Sequence, residues 1–256
     1  MTHRSGFLLG IAMLCAQVAA LGAQSTVDHG RFDRLLSAHV VDGTVDYAAF
    51  ASSRDFTGYL GSLSTVDPAQ LARDERLAFW INAYNAFTIE LINRNEERRS
   101  IRKISRPWGV RFIRLGGRML SLDDIEHEII RKEFGEPRIH FALVCAAKGC
   151  PPLRTEAYTG AALERQLDDQ AMTFLTRTPA KNRVDVATGT AYLSPIFKFR
   201  DYERDFGGTR EAIGRYVATY LRRAGMRAEA DLLERGRFAL KYTDYDWSLN
   251  GRALAR

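Results

Sequence analysis

Asp74-Glu-Arg-Leu-Ala-Phe-Trp-Ile-Asn-Ala-Tyr-Asn-Ala-Phe-Thr-Ile-Glu-Leu-Ile-Asn93 is the longest unbroken pattern in the sequence. Leu77, Trp80, Ile81, Tyr84, Thr88 and Leu91 recur at helical spacing and make one face. Ala78, Phe79, Ala86, Phe87 and Ile89 fill the others, and a helix apolar on most sides is buried in the core. Asn82 and Asn85, three positions apart, share one side of it. A buried amide left without partners costs on the order of 1–3 kcal/mol, so both must be matched. They either tie the helix to a loop or project donors into a pocket.

Shorter elements surround this helix. Phe32, Leu35, Leu36 and Val40 form an earlier helix ending before Asp42-Gly43, and Asp67-Pro68 opens another as N-cap and first helical residue. Arg111 to Leu120 reads as a hairpin turning at Gly116-Gly117. Ser121 and Asp124 resemble a capping box for a helix bearing Ile125, Ile129 and Phe134. Arg138-Ile-His-Phe-Ala-Leu-Val-Cys145 reads as a short apolar strand. Thr159 starts a helix with Leu163, Leu167, Ala171, Phe174 and Leu175 inside; Thr209 caps another with Ile213, Val217 and Leu221. Val184-Asp-Val186 and Tyr192-Leu193 are strands joined at Thr188-Gly189, and Phe238, Leu240 and Tyr242 alternate as a late strand. Helices outnumber strands and no βαβ rhythm appears. The fold class expected is α+β: a helix-rich single domain, its long buried helix packed on a small antiparallel sheet.

The first residues read as a secretory leader. Arg4 precedes an apolar run from Phe7 to about Leu21, interrupted by Gln17 and closed by Leu21-Gly-Ala23. The run is about 15 residues, short of the roughly 18–20 that span a bilayer. Cleavage near Ala23 would leave residues 24–256 as one globular domain, periplasmic or secreted, with no transmembrane segment. The formal charge of +6 is unevenly placed. Arg94, Arg98, Arg99, Arg102, Lys103, Arg106, Arg111, Arg114 and Arg118 face only Glu96 and Glu97 in their window. That run is either a solvated surface or a patch for an anionic envelope component. An exported chain with no recognition motif is not expected to bind nucleic acid.

Two cysteines follow the leader, in Cys145-Ala-Ala-Lys-Gly-Cys150-Pro-Pro. If the chain reverses between them, they face each other across a turn at a distance a disulfide can close, and an oxidising compartment favours that bond. Alternatively Cys150 is a nucleophile, its thiol acidified by Lys148 and by a helix starting at Pro151. The nearest base, His140, fits poorly. On a regular strand it points away from Cys145 and stands about 16 Å off. His127, on the preceding helix, competes with it for that role, and also sits one turn from Asp123. Metal ligation is the third reading, but the spacing is no usual zinc pair and no second cysteine pair exists, so no metal or cofactor is implied. His140 alternates with Ile139 and Phe141 and also suits a buried structural role. Asp244 and Asp246 sit amid aromatics in Tyr242-Thr-Asp-Tyr-Asp-Trp-Ser-Leu-Asn250, either as a sugar-site carboxylate pair or as a tail over the core.

Phe79 to Phe87, Ser121 to His127, His140 to Leu153 and Asp244 to Asn250 occur in that order and together resemble domain-of-unknown-function family 547. Leu193-Ser-Pro-Ile-Phe-Lys-Phe199, followed by Asp205-Phe206, is similar to a later segment of that family, which often carries Trp where this chain has Phe199. The resemblance implies that Asn82, Tyr84, Asn85, His127, His140, Cys145, Cys150, Asp246 and Asn250 lie on motif positions; it implies no activity. Two functional classes follow. One is an envelope hydrolase or acyl-transfer enzyme, with Cys150 attacking, His140 or His127 as base, Asp246 nearby, and Asn82, Tyr84, Asn85 and Asn250 about the pocket. The other is a non-catalytic binding domain pinned by a Cys145–Cys150 disulfide.

Overall fold

The computed structural model describes residues 26–252; the leader expected over residues 1–23, with Cys15, lies outside them. α1 (Gly30–His39) buries Phe32, Leu35 and Leu36. β1 (Val40–Val41) and β2 (Thr44–Val45) then pair across Asp42-Gly43, whose positive φ values of 49° and 76° are those of a type I′ hairpin. Gly43 is also fixed by space, since a Cβ there would lie 2.7 Å from Pro152. α2 (Tyr47–Ser52) and α3 (Arg54–Leu63) are capped by Asp46 and Ser53. Asp67 caps Pro68 as expected, but that segment is one 3-10 turn, Pro68–Gln70.

α4 (Arg73–Arg94) is the long helix, and every residue from Leu77 to Ile89 in it is buried. Its main neighbours are helical rather than the sheet expected from sequence. Each strand pair is too short to cover so wide an apolar surface. β3 (Ile113–Leu115) and β4 (Arg118–Leu120) form the expected Gly116-Gly117 hairpin. The capping box is also present: Asp124 N–H donates to Ser121 Oγ at 3.1 Å, and Ser121 N–H to Asp124 Oδ2 at 2.9 Å. It opens a π-helix, Asp124–Ile130, which the sequence pattern did not distinguish from an α-helix. α5 (Arg131–Phe134) continues it to Gly135, where φ is 57°.

The apolar run after Pro137 is no strand. Residues Ile139–Ala142 form α6, a single helical turn, before the chain extends through Leu143. The backbone groups that a neighbouring strand would take are met by a side chain instead. Asn85 donates to the Ala142 carbonyl at 3.0 Å and accepts from Val144 N–H at 2.9 Å.

α7 (Leu163–Thr176) follows a 3-10 turn, Gly160–Ala162. β5 (Arg183–Asp185) and β6 (Thr190–Leu193) pair antiparallel. The chain then crosses through a 3-10 segment (Pro195–Phe206), α8 (Arg210–Arg223), capped by Thr209, and α9 (Arg227–Glu234). It returns as β7 (Ala239–Tyr242), parallel to β6. The fold is helix-rich α+β with small sheets, and this parallel pair is a departure from the all-antiparallel expectation.

Two hydrophobic clusters divide the interior. One gathers around α1 to α4 and the 139–153 region; the other is built from α7, β6, the 195–206 segment, α8 and α9. α6 straddles them, with Ile139 in the first and Phe141 in the second, while Tyr245 packs against both. Among the described residues no helix is long and apolar enough to cross a membrane.

Candidate active site

A cavity of about 240 Å3 opens at that seam. The first cluster supplies Tyr84, Leu143, Cys145 and Cys150, and the second Ile196, Phe199 and Tyr202. Tyr245 lines it from the boundary, and the π-helix contributes Glu126 and His127. In that helix the Arg131 N–H reaches back five residues to the Glu126 carbonyl. Such widened turns recur at functional sites because they re-aim side chains that an α-helix would stack.

The thiols sit on a tight loop. Cys150 N–H donates to the Ala147 carbonyl at 3.0 Å, and Ala146 takes the left-handed conformation at φ 60°. The C-terminal segment holds this loop edge-on: Lys148 N–H bonds Ser248 O, Gly149 N–H bonds Asp246 O, and Asn250 N–H bonds Ala146 O. Both cysteines are free, so the disulfide expected as one reading is absent from this structure. The Cys145 N–H instead donates to Cys150 Sγ at 3.1 Å. The Tyr245 hydroxyl lies 3.1 Å from Cys150 Sγ and 3.4 Å from Cys145 Sγ. Gly149 makes room for that ring; a Cβ at this position would come within 2.8 Å of it.

These contacts split the two thiols. Burial pushes Cys150 up, but hydrogen bonds from the Cys145 thiol, the Tyr245 hydroxyl and the Ala147 and Cys145 N–H groups outweigh it and lower Cys150 to about 7. Cys145 is pushed well above the ordinary thiol value, first by its hydrogen bond to Cys150 and then by burial. The acidifying cause expected from sequence is therefore replaced. No helix starts at Pro151, so Cys150 is not an N-cap, and Lys148 points to solvent.

His140 shares the cavity because α6 shortens the path that a strand would have stretched. It forms no hydrogen bond with Cys150. Its Nε2 lies 2.6 Å from Asp205 Oδ2, and Arg131 holds Asp205 with a fork, Nε to Oδ2 at 2.7 Å and Nη2 to Oδ1 at 3.1 Å. Burial raises the Asp205 pKa, yet the bonds from His140 and Arg131 prevail and keep it well below the usual carboxylate range. An ionised Asp205 only accepts, so Nε2 donates to it and Nδ1 is the ring nitrogen left for chemistry. That Nδ1 is buried with no hydrogen-bond partner among the described residues. Tyr202 stacks on the imidazole at 3.9 Å and donates its hydroxyl to Glu126.

Of the residues singled out from sequence, Cys145, Cys150, His127, His140 and Tyr84 line the cavity. His127 keeps its Asp123 partner at 3.6 Å. Asn82 and Asn85 lie outside it as clamps: Asn82 donates to the Tyr158 carbonyl at 2.7 Å and accepts its N–H at 2.9 Å. Asn250 likewise anchors, accepting from the Tyr47 hydroxyl and donating to the Gly43 carbonyl. Asp246 is exposed and accepts from Ser248 N–H. It does not line the cavity, and neither does Asp244, which is also exposed. Sequence reasoning passed over Tyr245, Tyr202, Glu126 and Asp205. Tyr245 stands between the two carboxylates that drew attention, and Asp205 is in the Asp205-Phe206 pair beside the Phe199 segment.

The nine cations of the basic window are all exposed; Arg94 also lies over the Phe112 ring and Arg102 over Trp247. Arg98 and Arg99 join Lys148 and Arg252 around a second cleft of about 510 Å3, where Asp46 is the one carboxylate among the described lining residues.

Fold and pocket together define a helix-rich α+β protein with an asymmetric thiol pair buried at the seam of two cores. Residues 68–175 match the model of the family described as Protein of unknown function, DUF547. The match takes in α4, the π-helix, His140 and both thiols, while Tyr202, Asp205 and Tyr245 come from beyond it. No curated protein and no solved structure matched the chain.

Proposed function

We propose that the seam cavity is the active site of a thiol-dependent acyl-transfer enzyme or hydrolase. The observation that carries this reading is the pairing, in one cavity, of an acidified Cys150 with a His140 whose Nδ1 is unpartnered. A thiol already poised near neutrality needs no histidine to deprotonate it. Cys150 Sγ attacks the acyl carbonyl and forms a thioester. In the form protonated at Nδ1, His140 gives that proton to the departing group. The ring, now neutral, then takes a proton from the water that attacks the thioester, and the Cys150 thiolate leaves as the acid is released, with Asp205 and Arg131 fixing the ring. The cavity is smaller than the roughly 300–1,000 Å3 of ordinary ligand sites, so it holds a short acyl or aromatic group rather than a long chain.

The test is turnover of p-nitrophenyl esters of graded acyl length. Cys150→Ser should abolish it, His140→Ala should slow it by about 10²–10⁴-fold, and Cys145→Ala, which removes one acidifying hydrogen bond, should shift its pH profile upward without abolishing it. Wild-type rates in Cys150→Ser would end the proposal. We also propose that the chain is exported; N-terminal sequencing of the protein from the envelope fraction should begin at Gln24.

A second reading rests on the Arg98/Arg99/Lys148/Arg252 cleft, whose described lining carries these four cations and one carboxylate, Asp46. It would hold an anionic envelope component. Charge reversal at Arg98 and Arg99 should release the protein from an anionic resin at lower salt, and unchanged elution would remove this reading.

A further inference from the structure

We propose that Cys145 and Cys150 form a working dithiol–disulfide couple, in which Cys150 exchanges with a small disulfide entering the seam cavity and Cys145 resolves the product. The proposal shares the reactive Cys150 with the acyl-transfer reading but is independent of acyl chemistry. Its ground is geometric. The loop between the cysteines is short, and it presses the Cys150 sulfur to 3.1 Å from the Cys145 backbone nitrogen. One hydroxyl, that of Tyr245, bonds both sulfurs. The loop backbone is held from outside by the Ser248, Asp246 and Asn250 bonds, which keeps the two cysteines together on one fixed turn. The unequal proton affinities of the two thiols give the order of events: the thiol nearer its anion attacks, and the one that keeps its proton waits.

The exchange balances. Cys150 thiolate attacks one sulfur of R–S–S–R, that S–S bond breaks, and the first RS⁻ leaves and takes up a proton. Cys145 then loses its proton and attacks the Cys150 sulfur of the mixed disulfide, expelling the second RS⁻, which is protonated in turn. Two electrons and two protons pass from the dithiol to the small disulfide, giving two RSH. Tyr245 donates its hydrogen bond to whichever sulfur carries the charge. Oxidation also occupies the acyl-transfer nucleophile, so the two activities exclude each other in a given molecule.

The full chain is equilibrated in bis(2-hydroxyethyl) disulfide and 2-mercaptoethanol mixtures, acid-quenched and alkylated, and Cys145 and Cys150 are read by peptide mass. Wild type should convert between doubly alkylated and internally bonded forms, with almost no mercaptoethanol adduct. Cys145→Ser should trap that adduct on Cys150 at least tenfold more than wild type. Wild type that stays doubly alkylated across the whole range, or that accumulates a stable adduct, overturns the couple. These wild-type readings stand even if the variant fails to fold. Reversible internal bonding without ester turnover would sink acyl transfer alone, and ester turnover without internal bonding would sink the redox couple alone.

Discussion

A thiol walled by aromatic and aliphatic side chains resists ionising, and Cys150 escapes that only through the hydrogen bonds gathered on its sulfur. Tyr245 supplies the one that a conservative change can remove. A hydrogen bond to a charged group contributes about 1.5–3 kcal/mol, or roughly one to two pH units at 1.36 kcal/mol each. In Tyr245→Phe the midpoint of the pH profile for Cys150 alkylation by iodoacetamide should therefore rise from about 7 by about one unit or more. An unmoved midpoint would assign the acidity to another group. Gly149→Ala should act the same way, because its methyl group displaces the ring. Asp205 provides the opposite kind of test. Its carboxyl is held below the ordinary 3.8, so its contribution to stability is complete above about pH 4 and is lost as the pH falls toward the folded-state value. Asp205→Asn should lower Tm at pH 7, and its gap from wild type should close on acidification. A gap constant with pH would mean that packing, not the His140–Asp205–Arg131 network, is what the variant disturbs.

At the scale of elements, buried asparagines do what short strands cannot. Asn85 meets the Ala142 carbonyl and the Val144 N–H, and Asn82 does the same for both backbone groups of Tyr158. Asn85→Leu keeps the volume but orphans two backbone groups, each costing about 1–3 kcal/mol. Urea unfolding should show a loss of about 2 kcal/mol or more, with faster alkylation of Cys145 as its loop loosens; a loss under about 1 kcal/mol would mean that the clamp is dispensable. The same clamps explain what was legible in the sequence. Helix α4, the Gly116-Gly117 hairpin, the capping box and the Thr209 cap depend on neighbours a few residues apart, and periodicity and turn chemistry find them. The Ile139–Ala142 turn depends on a partner more than fifty positions away. An apolar run of that length fits strand and helix equally well until the partner is known. The π-turn after Ser121 differs from an α-helix by a single hydrogen-bond register, for which side-chain spacing carries no signal.

For the whole molecule, the decisive feature is that the cavity is walled by both hydrophobic clusters. Its walls come from α4, the π-helix, the α6–Cys150 region, the 195–206 segment and the C-terminal stretch. The thiols and His140 were visible in the sequence as chemistry-bearing residues. Their meeting with Tyr202, Asp205 and Tyr245 was not, since it depends on how two cores are set against each other and no local pattern records that. The arrangement is open to a direct test. Tyr245 packs on both clusters, so truncating it should weaken the coupling between them as well as stability. All three tryptophans, Trp80, Trp108 and Trp247, belong to or pack against the first cluster, with Trp247 also stacked on Phe199 of the second, so their fluorescence follows mainly the first half. Far-UV circular dichroism follows the helices of both. In wild type the two signals should trace one urea transition, as expected of a cooperative unit. In Tyr245→Ala, which should cost up to about 3–5 kcal/mol as a large-to-small aromatic change, the dichroism curve should broaden and part from the fluorescence curve. Tyr245→Phe, which keeps the ring and loses only the hydroxyl, should hold them together. If both variants stay coincident, the two clusters unfold as one through contacts other than Tyr245. The cavity is then a gap inside a single core rather than the seam between two.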